Sequence, residues 1–119
     1  MIELLAPEFM HSDERGKLIQ LVSSGYNQVN VLYNKTGTQR GGHCHKINYE
    51  AFYVISGSVE VVTYCGMEQR QDTFIEGSFF LLKPYMKHCL RFPENCVLIA
   101  LYDKGIELEN GKKDIYMEG

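Results

Sequence analysis

Short apolar segments rich in Val, Ile, Tyr and Phe recur along this chain, and most are bounded by Gly, Asn, Asp or Pro. They cover residues 17–22, 28–33, 51–55, 59–64, 78–82 and 97–102. Such punctuation is typical of β-sandwiches and barrels. By contrast, no stretch of ten residues has a convincing helical period. The sequence therefore predicts an all-β antiparallel double sheet or closed barrel, since closure removes exposed strand edges.

Residues between the apolar segments predict where the chain turns. Residues 56–57 (Ser-Gly) and 65–66 (Cys-Gly) are predicted to form tight hairpin turns. Residues 83–85 contain a proline that ends a strand, because proline has no N–H to donate. Residues 3–10 could form one helical turn, and Asn-Gly at 110–111 predicts a turn in a polar tail.

Length and charge limit the class of protein. A chain of 119 residues with 45% apolar residues suits one domain over 1–119 with its own core. Its net charge of -3 and scattered basic residues argue against binding nucleic acid. The sequence shows no signal peptide and no apolar run long enough to span a bilayer. The cysteines form no CxxC pair, so we expect reduced thiols and a cytoplasmic location.

His43, His45 and Glu50 form the pattern that carries chemistry. Side chains alternate along a strand, so His43 and His45 share one face and can reach a common ion. Glu50 begins the next apolar segment and could add a carboxylate oxygen. Gly41 and Gly42 allow unusual backbone geometry just before the first histidine.

The wider spacing resembles the two motifs of the cupin superfamily. The first motif, Gly-x5-His-x-His-x4-Glu-x6-Gly, is matched at every position from residue 37 to residue 57. In the second motif, read from residue 77, Gly77 and His88 match. Three of its other positions differ, with Lys83, Tyr85 and Phe92 in place of Pro, Gly and Asn.

This resemblance implies a cupin-type double-stranded β-helix, also called a jelly-roll barrel. It also implies one divalent metal ion bound by His43, His45, Glu50 and His88. Zn, Mn, Fe or Ni would each suit imidazole and carboxylate ligands. The alternative is a metal-free pocket in which the histidines act as acid–base groups. Glu50 favours the ion, because a buried carboxylate beside neutral imidazoles is costly without a cation.

A narrower resemblance involves Asp-Glu-Arg-Gly at 13–16 and Arg-Gly-Gly-His-Cys-His-Lys at 40–46. These runs are similar to those of small cupins that act on nucleotide-linked deoxysugars. Such cupins include the dTDP-keto-sugar 3,4-ketoisomerases, usually metal-free and often with Gln at the position of Glu50. They also include the cupin end of certain capsular-polysaccharide reductases, which keep the Glu and hold zinc. The resemblance implies isomerisation or epimerisation of a nucleotide-linked keto-deoxysugar in polysaccharide biosynthesis.

That chemistry needs groups that move a proton and groups that hold the substrate. The candidates for proton transfer are His88, Tyr49 and Tyr53, and the candidates for substrate binding are Arg40, Lys46, Lys83 and Tyr85.

Two other functions stay open, a non-catalytic ligand-binding or sensory cupin and a metal-dependent dioxygenase or hydrolase of a small molecule. We also expect a homodimer that pairs through residues 2–9 and 97–102.

Overall fold

The computed structural model describes residues 2–117, which form eleven β-strands and no helix. The strands are β1 (Glu3–Leu4), β2 (Phe9–Asp13), β3 (Gly16–Gln20), β4 (Gln28–Asn34), β5 (Gln39–His43), β6 (Glu50–Ser56), β7 (Ser58–Cys65), β8 (Glu68–Ile75), β9 (Phe79–Leu82), β10 (Lys87–Arg91) and β11 (Cys96–Tyr102). Within this range there is accordingly no helix that could cross a membrane.

Two antiparallel sheets face each other. One has five strands in the order β1-β9-β6-β11-β4, and the other has four in the order β5-β10-β7-β8. Strands β2 and β3 form a separate two-stranded ribbon. The predicted all-β, cupin-type double-stranded β-helix is confirmed by this arrangement.

The core lies between the two sheets because each strand alternates its side chains. On β6, Phe52 and Val54 are buried inward, whereas Tyr53 and Ile55 point to the outer face. Phe80 on β9 stacks against Phe52 and also against Phe74 of the opposite sheet, with centroids 5.4 and 3.9 Å away. These aromatic contacts join the sheets and fix their spacing.

The outer face of the five-stranded sheet carries a second, smaller cluster. Ala51, Phe79, Leu81 and Leu101 are buried there. The covering residues come from the segments that flank the ribbon: Leu5, Leu21, Val22 and Tyr26. This cover reaches only part of the outer face.

One turn prediction is wrong and another is confirmed. Residues 56–57 do not close a hairpin, because β6 and β7 belong to different sheets and the chain crosses between them here. Gly57 suits this crossing, since its φ is 80° and an added Cβ would lie 2.1 Å from the carbonyl oxygen of Asn95. Residues 65–66, in contrast, join the paired strands β7 and β8 as predicted.

The predicted helical turn at residues 3–10 is also wrong. Its first part forms β1, in which Leu4 pairs with Phe80. Its end forms the start of β2, where Met10 pairs with Ile19. Pairing with a strand satisfies the backbone N–H and C=O groups of so short a segment better than an isolated helical turn does.

Candidate metal centre

Four site residues are held as cross-strand pairs on the two sheets. His43 at the end of β5 lies opposite His88 on β10. Glu50 at the start of β6 lies opposite Tyr102 at the end of β11. His45 follows β5 by two residues and completes the group. The two sheets therefore bring their functional residues to the same end of the barrel.

The three histidines and Glu50 converge. Potential ligand atoms of His43, His45 and His88 lie within 4.8 Å of one another. Oε1 of Glu50 lies 2.9 Å from Nε2 of His45 and 3.5 Å from Nε2 of His88. The side chains of His45, Glu50 and His88 are each at least 95% buried. The structure thus brings together every residue that the sequence analysis assigned to a metal.

Two backbone carbonyls determine which nitrogens face Glu50 as acceptors. Nδ1 of His45 lies 2.6 Å from the carbonyl oxygen of Asp114, and Nδ1 of His88 lies 3.0 Å from that of Met86. A carbonyl oxygen only accepts, so each Nδ1 must carry the proton. In neutral imidazoles, both Nε2 lone pairs then point at a carboxylate that also only accepts. A cation is needed between these acceptors, either a proton on His45 or a metal ion.

The charges around the site agree with this need. Burial lowers the pKa of His43 to about 4, with help from the neighbouring imidazoles, and burial also lowers the pKa of His88. Burial alone would lower the pKa of His45 too, but the hydrogen bond and charge of Glu50 outweigh it and raise that pKa. At neutral pH, His43 and His88 are therefore uncharged, as metal ligation requires.

Tyr102 is a site residue that the sequence analysis missed. Burial, followed by the charge of Glu50, raises the pKa of its hydroxyl far above the usual range. The hydroxyl therefore stays protonated and donates a hydrogen bond to Glu50. The available signal was strand alternation, because Leu98 and Ala100 are buried on the face of β11 that Tyr102 shares.

A cavity of about 360 Å³ opens onto this group. It is lined by Leu32, Arg40, Gly41, His43, Glu50, Phe52, His88, Leu90 and Tyr102. Nε of Arg40 donates to Oδ1 of Asn34 over 2.6 Å, which fixes the guanidinium at the cavity wall. The cavity therefore combines the convergent acceptors with one cationic side chain and an apolar wall.

Gly41 allows β5 to approach β10 closely enough for the histidines to meet. Its φ is 104°, and an added Cβ would lie 2.8 Å from the carbonyl oxygen of His88. A larger residue would push β5 away from β10 at Cys89, next to the point where His43 and His88 are paired.

The predicted tyrosines lie away from the cavity. Tyr53 is on the outer face of β6, where its ring packs edge-on against Phe79. Tyr49 is exposed, and its N–H donates to the carboxylate of Asp103. Tyr49 lies one residue and Tyr53 three residues from Glu50, so alternation directs both side chains to the face opposite that of Glu50. Their placement does not support the predicted catalytic role.

Three predicted substrate-binding residues also lie elsewhere. Lys46 places its ammonium 4.2 Å above the ring of Tyr116. Lys83 and Tyr85 line a second, larger cavity of about 940 Å³, whose wall contains none of the three converging histidines. Of the predicted substrate-binding residues, Arg40 is the one that lines the histidine cavity.

Comparison with protein families gives a match over residues 11–77, more than half of the chain. The matching family is described as the polysaccharide biosynthesis C-terminal domain. The chain belongs to this family. The matched part of this polysaccharide biosynthesis domain includes His43, His45 and Glu50, whereas His88 and Tyr102 lie beyond it. No curated protein matches the domain by sequence.

Solved structures similar to this polysaccharide biosynthesis domain have the same fold. A 3,4-ketoisomerase from Helicobacter canadensis is 21% identical with a TM-score of 0.82, over 98% of this chain and 90% of that one. A sugar 3,4-ketoisomerase from Thermoanaerobacterium thermosaccharolyticum in complex with TDP is 20% identical with a TM-score of 0.80, over 98% and 88%. A dTDP-4-dehydrorhamnose 3,5-epimerase from Sulfolobus tokodaii is 18% identical with a TM-score of 0.71, over 85% and 69%.

Proposed function

We propose that this protein isomerises or epimerises a nucleotide-linked keto-deoxysugar in polysaccharide biosynthesis, with one divalent metal ion at its site. The observation that carries the proposal is the convergence of the His45 and His88 lone pairs on Glu50, at the wall of a cavity beside Arg40. The family description and the activities of the similar solved structures support the substrate class.

The donor set fits a divalent ion. His43, His45, Glu50 and His88 would hold it through three neutral nitrogens and one carboxylate, which leaves a net charge of +1. Such a charge attracts the oxygen of a keto group or an anionic ligand. Zn, Mn, Fe and Ni all remain candidates, because this ligand set does not choose among them. When bound, the ion would supply a Lewis acid for the carbonyl oxygen of the sugar.

The residues of the cavity wall would position the substrate and stabilise the developing enediol. Isomerisation and epimerisation both begin with loss of a proton from a carbon beside a carbonyl. Tyr102 keeps its proton and lines the cavity, so we assign it, in place of Tyr49 and Tyr53, as the hydrogen-bond donor to the oxygen of the developing enediol, while the proton lost from carbon passes to solvent water. Arg40 would bind the diphosphate through charge-assisted hydrogen bonds.

Solvent exchange tests this proposal directly. One solved structure of the Thermoanaerobacterium thermosaccharolyticum ketoisomerase holds TDP-4-keto-6-deoxyglucose, so this compound is the first probe. The protein is incubated with it in D₂O and followed by NMR. We expect deuterium at the carbon next to the keto group, together with an isomerised or epimerised sugar. A panel of dTDP-, UDP- and GDP-keto-sugars that shows neither exchange nor turnover would refute the proposal.

We further propose that two copies of the chain pair through the outer face of the five-stranded sheet. Val29, Val31 and Tyr33 on β4 are 59%, 52% and 75% exposed there. Val31 lies in register with Ile99 and, across β11, with Tyr53, so these residues continue the apolar face that residues 5–26 cover only in part. Exposed apolar surface that extends a covered cluster is typical of an interface.

The ribbon gives a second reason for pairing. Within residues 2–117, β2 and β3 pair only with each other, and Phe9, Met10 and Leu18 on them are exposed. A two-stranded ribbon is marginally stable alone, and packing against another surface stabilises it. We assign that surface to the β4 face of a second copy.

Light scattering after gel filtration tests the pairing. We expect a mass twice the 13.7 kDa of one chain, and a monomer for Val31→Glu. Ile75→Glu, on the exposed side of β8, is the matched control and should stay dimeric. A monomeric native protein would contradict the pairing.

A cytoplasmic location is also part of the proposal. Cys44, Cys65, Cys89 and Cys96 all have free thiols. Burial raises the pKa of Cys96 to about 11, which keeps it in the unreactive thiol form. Four unpaired cysteines suit a reducing compartment. Fractionation of cells that make the protein, with an outer-compartment marker as control, would test this location.

A further inference from the structure

The segment after β11 folds back onto the loop that joins β5 to β6. Cys44 and Tyr116 exchange two backbone hydrogen bonds of 2.9 and 3.0 Å. The N–H of Asp114 donates to the carbonyl oxygen of Ile106 over 2.8 Å. Asp114 is thereby held with no exposed surface, directly behind the loop that carries His45.

The carboxylate of Asp114 binds this loop through four N–H groups. Oδ1 accepts from the backbone N–H of Lys46 at 2.9 Å. Oδ2 accepts from the backbone N–H groups of Ile47 at 3.1 Å and Asn48 at 2.9 Å, and from Nδ2 of Asn48 at 2.9 Å. All four donors lie between His45 and Glu50 in the sequence. The carboxylate therefore fixes the stretch of chain that separates two of the converging residues.

The same residue also holds His45 through its main chain. The carbonyl oxygen of Asp114 accepts from Nδ1 of His45 over 2.6 Å, which leaves the Nε2 lone pair directed at Glu50. Asn48 extends the network, because its Oδ1 accepts from the N–H groups of Lys104 and Gly105 and its Nδ2 also donates to the carbonyl oxygen of Gly105. The loop is thus bonded at several points to the segment after β11.

We propose that Asp114 is a positioning residue of the cation site, which orients His45 through its carbonyl and sets the His45–Glu50 spacing through its carboxylate. This inference rests on the proposed cation site. Asp114 does not touch the site of the ion; it acts on two residues that do. Outer partners of metal ligands are typically worth 10–100-fold in metal affinity.

Zinc titration of Asp114→Asn tests the inference, because the amide keeps the shape of the side chain but turns one acceptor oxygen into a donor that faces N–H groups. We expect the zinc Kd to rise by about 10–100-fold at a temperature where circular dichroism shows the variant folded. Asp103→Asn is the matched control, since Asp103 also accepts a backbone N–H of this region, that of Tyr49, but is not bonded to His45. We expect an unchanged zinc Kd for this control.

Two measurements separate positioning from a merely structural role. In ¹⁵N NMR of the metal-free wild-type chain at a pH above the raised pKa of His45, the neutral ring should be in the Nδ1–H tautomer, and Asp114→Asn should shift it toward a mixture. In wild-type protein, zinc should slow hydrogen exchange at the amides of residues 46–48 more than at the amide of Tyr64, which lies outside the loop. The exchange experiment needs no variant, so it holds even if Asp114→Asn fails to fold.

The outcomes distinguish this inference from the proposed function. Wild-type protein that binds no zinc, manganese, iron or nickel overturns the cation site, and the inference with it. Wild-type protein that binds zinc, with an unchanged Kd in Asp114→Asn or unchanged exchange at residues 46–48, overturns the positioning role alone.

Discussion

Replacing Glu50 by Gln separates the role of its charge from the role of its shape. Oε1 of Glu50 faces two Nε2 lone pairs at 2.9 and 3.5 Å and is almost fully buried. In Glu50→Gln, the amide oxygen can still accept from Tyr102, whereas the NH₂ group can donate to His45 or His88. The substitution thus removes a metal ligand and its charge, and it replaces an acceptor–acceptor contact by a hydrogen bond.

The two effects have opposite signs. Loss of an outer partner of a metal ligand costs roughly 10–100-fold in affinity, so loss of the carboxylate ligand itself should cost at least about 100-fold, or about 2.8 kcal/mol. In the metal-free protein, a new hydrogen bond contributes about 0.5–1.5 kcal/mol. For a domain of this size, that corresponds to a rise in Tm of about 4 °C.

The gain in stability of metal-free Glu50→Gln over the wild type should appear only at high pH. The pKa of His45 is raised in the folded protein, so the stability from the protonated His45–Glu50 pair is fully present below the unfolded pKa of about 6.5. That contribution is lost as the pH rises through the raised pKa. With chelator present, Glu50→Gln should therefore melt below the wild type at about pH 5.5 and above it at about pH 9.

Calorimetric titration with zinc and melting curves at both pH values test this reasoning. Glu60→Gln, on the four-stranded sheet, is a suitable control for loss of a carboxylate and should leave the zinc Kd unchanged. A Glu50→Gln variant that binds zinc as tightly as the wild type would refute the reasoning. So would a variant that is less stable than the wild type at both pH values.

Three further predictions concern the cavity wall. Tyr102→Phe leaves a buried oxygen of Glu50 without its hydrogen-bond donor, so the free energy of unfolding in urea should fall by about 1–3 kcal/mol. In the same variant kcat should fall by at least roughly 100-fold, whereas Tyr49→Phe should leave kcat unchanged. Gly41→Ala should lower the free energy of unfolding by about 1–3 kcal/mol in the same urea assay and weaken zinc binding. Gly42→Ala, whose Cβ would meet nothing within 4 Å, should lower the free energy of unfolding by less. Equal losses in the two variants would contradict the packing argument. Arg40→Ala should raise KM about 10–100-fold through the loss of charge-assisted hydrogen bonds. Lys46→Ala is the control and should leave KM unchanged. An unchanged KM in Arg40→Ala would exclude Arg40 as a substrate contact.

Much of the fold could be predicted from the sequence, because the buried strands are rich in apolar residues. All six predicted segments coincide with strands to within about two residues. The strands that were missed include β5 and β8, which carry mainly polar or glycine residues. Each is an edge strand of the four-stranded sheet, and β8 is largely exposed. The apolar signal is weak in such strands, since their pairing depends on backbone hydrogen bonds.

The candidate site was predictable only where the spacing was regular. His43, His45, Glu50 and His88 follow motif spacing, and the structure brings them together. The positions of Tyr102 and Asp114 depend on contacts over 52 and 69 residues, from Glu50 and His45 respectively, which strand patterns alone do not specify. Tyr53 was misplaced for a simpler reason, because strand alternation from Glu50 already directs it outward.

The central claim is that the Nε2 lone pairs of His45 and His88 meet the Glu50 carboxylate around one cation, with His43 as the third imidazole. X-ray absorption at the zinc edge, on protein loaded with one equivalent of zinc, tests it most directly. The account predicts three imidazole nitrogens and at least one oxygen at about 2.0–2.2 Å. A spectrum with fewer than three imidazole nitrogens, or with sulfur bound to the zinc, would contradict it.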